Sequence, residues 1–293
     1  GSEMCIRDSL NRVKSVILLT LLSVILMAIG GAFGGRSGAF TMLLVSFGIN
    51  FITYWNCDKI ALAQYDAKYV SPQDVPELYD LVGKLCQNAK IPMPKLYVIP
   101  TDVPNAFATG RNVNHAAVAI TEGLLSRLNK DELAGVISHE LSHIRHHDTL
   151  IMTLAASIAS AIGYIAQMAQ WFAIFGGRDE NGERMNPVAL IVTIVLAPLA
   201  ATLIQFALSR SREYMADASG AEISGKPLAL ASALEKLDNY AHHVVMPGAK
   251  PATSGLFIIN PLSAVGGIEN LFSTHPSTAD RVKRLREIAA RMH

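Results

Sequence analysis

Residues 130–145 read KDELAGVISHELSHIR, and the rest of the chain is read outward from them. Leu133, Val136, Ile137 and Leu141 recur at helical spacing. Asn129 stands ahead of them as an N-cap, and Glu132 completes a capping-box pattern. The spacing predicts a helix from Lys130 to about His146. On it, His139 and His143 are one turn apart and share a face, so both imidazoles can reach one metal ion. Glu140 lies beside them, where it can address a water that the metal activates. H-E-x-x-H on a helix is the pattern of a zinc peptidase, with the glutamate as general base.

Catalytic zinc keeps three protein ligands and one open position. The extended pattern H-E-x-x-H-x-x-G-x-x-H would need Gly at 146 and His at 149. The chain has His146 and Thr149, which excludes that class. His146 and His147 are read as surface or interfacial histidines. The better third ligand is Glu213, within Arg212-Glu213-Tyr214-Met215-Ala216-Asp217. Asp217 lies one turn on, on the same face, where its carboxylate can accept the second N–H of a ligating histidine.

Between these two motifs the composition changes. The chain has 293 residues, of which 51% are hydrophobic and only 17% charged, below the roughly 25% usual for a soluble domain. Four stretches carry no charge: Ser15 to Gly35, Ala39 to Asn56, Leu150 to Gly177 and Pro187 to Ser209. Each meets or approaches the roughly 20 residues needed to cross a bilayer. Arg12, Lys14, Lys59, Lys68, Arg145, Arg210 and Arg212 flank them on one side, against Arg36, Arg178 and Arg184 on the other. The richer side should be cytoplasmic. Both termini and both polar segments then share the cytoplasm.

The organisation expected is a non-native leader or scar (1–9), a first membrane hairpin (10–56), the first part of a metalloprotease domain (57–149), a second hairpin (150–209) and the second part of that domain (210–293). No internal repeat is evident. A net charge of +1 gives no bulk basic field for nucleic acid. Cys5, Cys57 and Cys86 form no paired spacing, which fits reduced thiols rather than a disulfide framework. The apolar stretches hold no ionisable group, which argues against a transporter.

In the polar segments, helices are expected over Val75 to Ala89, Glu122 to Leu128, Phe206 to Ile223 and Pro227 to Ala241. A last helix is capped by Ser277. Short strands are expected at Lys95 to Ile99 and Ala116 to Thr121. The helix of residues 130–146 has no Pro or Gly before the third apolar stretch and is expected to run on into it. Pro247 to Gly267, rich in Gly, Pro, Ser and Ala, reads as a mobile loop. The fold class is therefore mainly α with a small β-sheet (α+β), carrying four transmembrane helices.

The residues His139-Glu140-x-x-His143, Glu213-x-x-x-Asp217 and the hairpin between them resemble the HtpX membrane metalloproteases, relatives of the type I CAAX prenyl proteases. Pro104-Asn105-Ala106-Phe107-Ala108-Thr109-Gly110 and Thr274-His275-Pro276 followed by Arg281 extend the likeness, which covers the chain from Leu10 on. The resemblance implies a gluzincin-like domain, one Zn2+ per chain and quality control of misfolded or damaged proteins at a bacterial inner membrane. It also implies that the segment near Ala116 to Thr121 is an edge strand for substrate pairing, and that Asn105 flanks the cleft. His275 or Arg281 would then stabilise the oxyanion or the ligand helix. The expected partners are unfolded or membrane protein substrates and the lipid bilayer. Processing of prenylated proteins and a non-catalytic zinc-binding scaffold are the alternatives.

Overall fold

The computed structural model of the chain describes residues 2–175, 210–250, 252–264 and 276–292. Its architecture is mainly helical with one small mixed sheet. Helix α1 (Ser2–Gln64) folds back on itself at Gly35, whose φ of 59° lies in the left-handed region. The two arms meet through glycines: a Cβ on Gly38 would sit 2.2 Å from the Gly30 carbonyl oxygen. The Asn50 side-chain amide donates across the pair to the Leu19 carbonyl at 3.1 Å and to the Ser23 hydroxyl at 2.9 Å. Such bonds remove a polar group from contact with an apolar medium.

Two stretches of this helix, Val13–Gly31 and Gly35–Gln64, are long and apolar enough to cross a membrane, and Asp148–Tyr164 is a shorter apolar helix. The third expected span is helical as far as Phe175 within α5 (Asp148–Phe175). The fourth, Pro187 to Ser209, lies outside the described residues.

The other elements are β1 (Lys68–Tyr69), α2 (Pro76–Ala89), β2 (Lys95–Ile99), β3 (Ala106–Gly110), β4 (Ala116–Thr121), α3 (Glu122–Arg127), α4 (Lys130–Arg145), α6 (Arg210–Ser224), α7 (Pro227–Ala241) and α8 (Thr278–Met292). The sheet runs β1-β2-β4-β3, with β2 and β4 parallel and the outer pairs antiparallel. The strand Ala116 to Thr121 is thus central, not an edge. Its AAVAIT run is buried throughout, as a strand with neighbours on both sides should be. The edges are β1 and β3, and β3 (Ala106–Gly110) pairs with β4 on one side only.

Helix α4 lies at the centre of the domain. Its capping box is formed: Asn129 Oδ1 accepts from the Asp131 and Glu132 N–H groups, and Glu132 Oε2 accepts from the Asn129 N–H at 3.1 Å. Val136, Ile137 and Leu141 are fully buried in the main core with Leu230, Leu234 and Leu237 of α7. Each such side chain contributes roughly 1.5–3 kcal/mol by leaving water.

Two expectations about local structure are corrected. Helix α4 does not run on into the apolar helix. It stops at Arg145, His147 takes a left-handed φ of 57°, and α5 starts afresh at Asp148. Within the expected mobile loop, residues 252–264 are well packed. Phe257 is 1% exposed and meets the rings of Tyr65 and Phe107 edge-on at 4.9 and 5.1 Å.

Candidate metal centre

Helix α4 supplies His139, Glu140 and His143 from one face, and α6 supplies Glu213, Asp217 and Gly220, spaced at one and then nearly one further turn. The helices approach so closely that a Cβ on Gly220 would lie 2.9 Å from the His139 backbone nitrogen. Glycine at that point lets Glu213 come within reach of the two imidazoles.

The three candidate ligands converge. The Nε2 atoms of His139 and His143 are 3.2 Å apart, and the Glu213 carboxylate oxygens lie 3.7 Å from each. Zinc ligands held at about 2.0–2.1 Å in a tetrahedron stand about 3.3 Å from one another, so the triangle has the size that a zinc ion requires. All three side chains are buried, with exposures of 1, 3 and 3%. This donor set of two neutral-capable imidazoles and one carboxylate suits Zn2+.

Behind His139 the structure is elaborate. Its Nδ1 lies 2.9 Å from Asp217 Oδ1, which directs Nε2 toward the ligand triangle. Asp217 is gripped in turn by Arg281, which is fully buried. Its Nε and Nη2 donate to the two carboxylate oxygens at 2.8 and 2.7 Å, and its Nη1 donates to the Ile258 carbonyl at 2.9 Å. Arg281 therefore stands behind the ligand helix. Burial alone would raise the Asp217 carboxyl, but Arg281 and His139 hold it well below the usual range.

Asn105 is 1% exposed and buried beside β3. Its side chain donates to the Ile259 carbonyl at 2.9 Å, while the Ile258 N–H donates to the Ala106 carbonyl at 3.1 Å. The segment Ile258–Ile259 thus caps the start of the outer edge of β3. The remainder of that strand runs past Glu140, and the Ala108 N–H is the backbone donor that addresses the Glu140 carboxylate. Neither Glu140 oxygen has a hydrogen bond of ordinary geometry among the described residues. Burial, assisted by the charge of Glu213, raises this carboxyl to about 8. His275 lies outside the described residues.

The imidazoles differ. Burial, with the positive charge of Arg281 beside it, brings His139 down to about 4. Burial also pulls on His143, but the carboxylates of Asp148, Glu213 and Glu140 outweigh it and hold the ring at about 9. Asp148 has no counterpart in the sequence reading. It comes within 3.5 Å of His143 Nδ1 only because the chain turns at His147. A left-handed histidine carries no signal that spacing or composition can pick up. His146 and His147 stay away from the ligand triangle, and His146 Nε2 lies 3.3 Å from the Ser219 hydroxyl.

Residues 72–289 match peptidase family M48. A protein named "Protease HtpX homolog" from Pyrococcus furiosus is 50% identical over 280 residues, covering 96% of each chain. One of the same name from Desulfatibacillum aliphaticivorans is 49% identical over 277 residues, covering 94% of this chain and 89% of its own. Among solved structures, Ste24p of S. mikatae superposes with a TM-score of 0.51 at 17% identity, covering 97% of this chain and 67% of that one. The last is a likeness of fold.

Proposed function

The chain belongs to peptidase family M48 and is a metalloprotease, and from that premise we propose that it is an integral membrane zinc endopeptidase that cleaves misfolded or damaged proteins on the cytoplasmic side. The observation that carries the proposal is the triangle of His139, His143 and Glu213 around one point, with Glu140 beside it.

His139, His143 and Glu213 would hold the ion, and a zinc bound there would lower the pKa of a water to about 7 and polarise the scissile carbonyl. Glu140 takes the proton from the attacking water as the new C–O bond forms. It then gives that proton to the amine as the C–N bond breaks. Asp217, backed by Arg281, keeps His139 in the tautomer that presents Nε2. Apart from the Ala108 N–H that addresses Glu140 and the Ala106 carbonyl taken by Ile258, the outer edge of β3 would offer its backbone groups to an extended substrate. Recognition through the main chain would be broad, as quality control requires. Asn105 and Ile259 close off one end of that edge.

The membrane reading rests on the apolar stretches Val13–Gly31 and Gly35–Gln64, on the charge asymmetry and on the short distance from His143 to the apolar helix α5. The first residue of that helix, Asp148, lies 3.5 Å from His143 Nδ1, which places the candidate metal ligands beside its start. Exposed segments next to a span would be the natural substrates. Processing of prenylated proteins is the second reading. The likeness in fold to Ste24p favours it, and a prenylated peptide would discriminate the two.

The test is Glu140→Gln in the full-length protein in detergent. It should retain zinc, with casein cleavage lost by at least about 10²-fold. Cleavage at the wild-type rate by that variant would refute the role of Glu140.

A further inference from the structure

His139 and His143 are chemically equivalent in the motif, yet they are held by carboxylates from different parts of the chain. Asp217 of α6 stands at Nδ1 of His139. At His143 Nδ1 no hydrogen bond of ordinary geometry is made among the described residues, and the carboxylate that approaches is Asp148, at 3.5 Å. Asp148 is 3% exposed, as buried as the ligands themselves. A carboxylate is not carried into such surroundings without compensation.

The local backbone is arranged to bring it there. The His146 N–H donates to the Ser142 carbonyl and the His147 N–H to the Ile144 carbonyl, closing α4. The left-handed His147 then turns the chain so that the first residue of α5 faces back onto the last turn of α4. A non-glycine residue pays about 1 kcal/mol or more for that conformation, so continuing the helix would have been the cheaper local solution. Lys14 of α1 feels the charges of both Arg212 and Asp148.

We infer that Asp148 is a positioning residue for the metal centre, accepting from Nδ1–H of His143 as Asp217 does from His139, and so fixing the direction of the His143 Nε2 lone pair. Histidine ligands are characteristically held by such a partner, and apo geometries of this kind tighten when the site is loaded. Asp148 is also the first residue of the apolar helix α5. One imidazole is thereby anchored to α6 and the other to the start of α5. A displacement of α5 would be felt directly at His143.

The inference rests on the zinc-peptidase reading and is tested by metal affinity rather than cleavage. Zinc affinity of the full-length protein in detergent is measured by chelator competition for wild type, Asp148→Ala and Asp148→Asn, alongside the unfolding midpoint of each metal-free protein. The expected result is one zinc per wild-type chain, about 10–100-fold weaker binding by Asp148→Ala, and a smaller loss by Asp148→Asn, which keeps an acceptor. The metal-free midpoints should agree. Undiminished affinity in Asp148→Ala would overturn the inference and leave the zinc site standing. So would weaker binding that tracks an equally lowered metal-free midpoint in both variants, because Asp148 would then merely start a helix. A wild-type chain that binds no zinc would overturn the reading of the site itself.

Discussion

Replacing Gly220 by alanine adds one methyl group at the point where α6 crosses α4. That methyl would lie 2.9 Å from the His139 backbone nitrogen and 3.1 Å from its Cα. Ordinary contact begins near 3.4 Å, and both sides of the clash are helix backbone, so neither can swing away. The helices must separate by roughly half an ångström or tilt, and overpacking of this kind costs about 1–3 kcal/mol. The displaced helix carries Glu213, two turns before Gly220, and Asp217, one turn before it. A shift of that size stretches the 3.7 Å spacings between Glu213 and the imidazoles. It also loosens the 2.9 Å contact between Asp217 and His139. Zinc affinity should therefore fall at least tenfold, and the midpoint of thermal unfolding should drop. Gly83→Ala in α2 is the control, since nothing lies within 4 Å of its added Cβ. There alanine should stabilise by about 0.5–1 kcal/mol through helix propensity alone. Chelator competition and thermal unfolding of the three proteins decide the matter. Equal zinc affinity in wild type and Gly220→Ala would refute the claim that close helix approach sets the ligand triangle.

Other perturbations have defined outcomes. Arg281→Met leaves Asp217 buried without its cation and should cost about 3–5 kcal/mol. Adding Asp217→Asn should recover part of that in a double-mutant cycle, and strict additivity in unfolding measurements would contradict the coupling. Glu132→Gln loses the charged half of the α4 capping box and the 2.7 Å pair with Lys236, and should destabilise by about 1 kcal/mol at neutral pH. Although burial opposes it, Lys236, Ser232 and the Asn129 N–H hold the Glu132 carboxyl below its ordinary value. Its stabilisation is therefore complete above the ordinary carboxylate pKa of about 4.3 and fades as pH falls through the lower folded value. The gap between wild-type and Glu132→Gln midpoints should close in acid, and a gap that widens there would have the wrong sign. His147→Gly should keep zinc affinity and folding, because glycine accepts the left-handed φ of 57°. His147→Val should lower the unfolding midpoint.

The elements that announced themselves in the sequence are those whose local chemistry and tertiary role agree. Helix α4 has a cap, a helical apolar period and its motif in register, and it forms as expected from Lys130. Pro227–Ala241 and the strand Lys95–Ile99 also occur at the expected residues. Glu213 and Asp217 were legible because two uncharged stretches separate them from His143, and a pair of spans there would return the chain to its starting side. Other features depend on contacts far away in sequence. Ala106–Gly110 has little β propensity and becomes a strand through its pairing with β4 and its burial beneath α4 and α5. Phe257 to Ile259 sit in a segment whose Gly, Pro and Ser suggest a loop, yet Tyr65, Phe107 and Asn105 hold them in place. Which strand forms the edge is a matter of order in the sheet, which strand-level patterning does not encode. The Asp148 contact follows from one backbone conformation at His147.

The most direct test of the account is the metal content and affinity of Glu213→Ala beside wild type, after dialysis of full-length protein in detergent. The account predicts one tightly held zinc per wild-type chain and a variant whose zinc is lost to a chelator that leaves wild type loaded. A Glu213→Ala protein that keeps one zinc with wild-type affinity would contradict it.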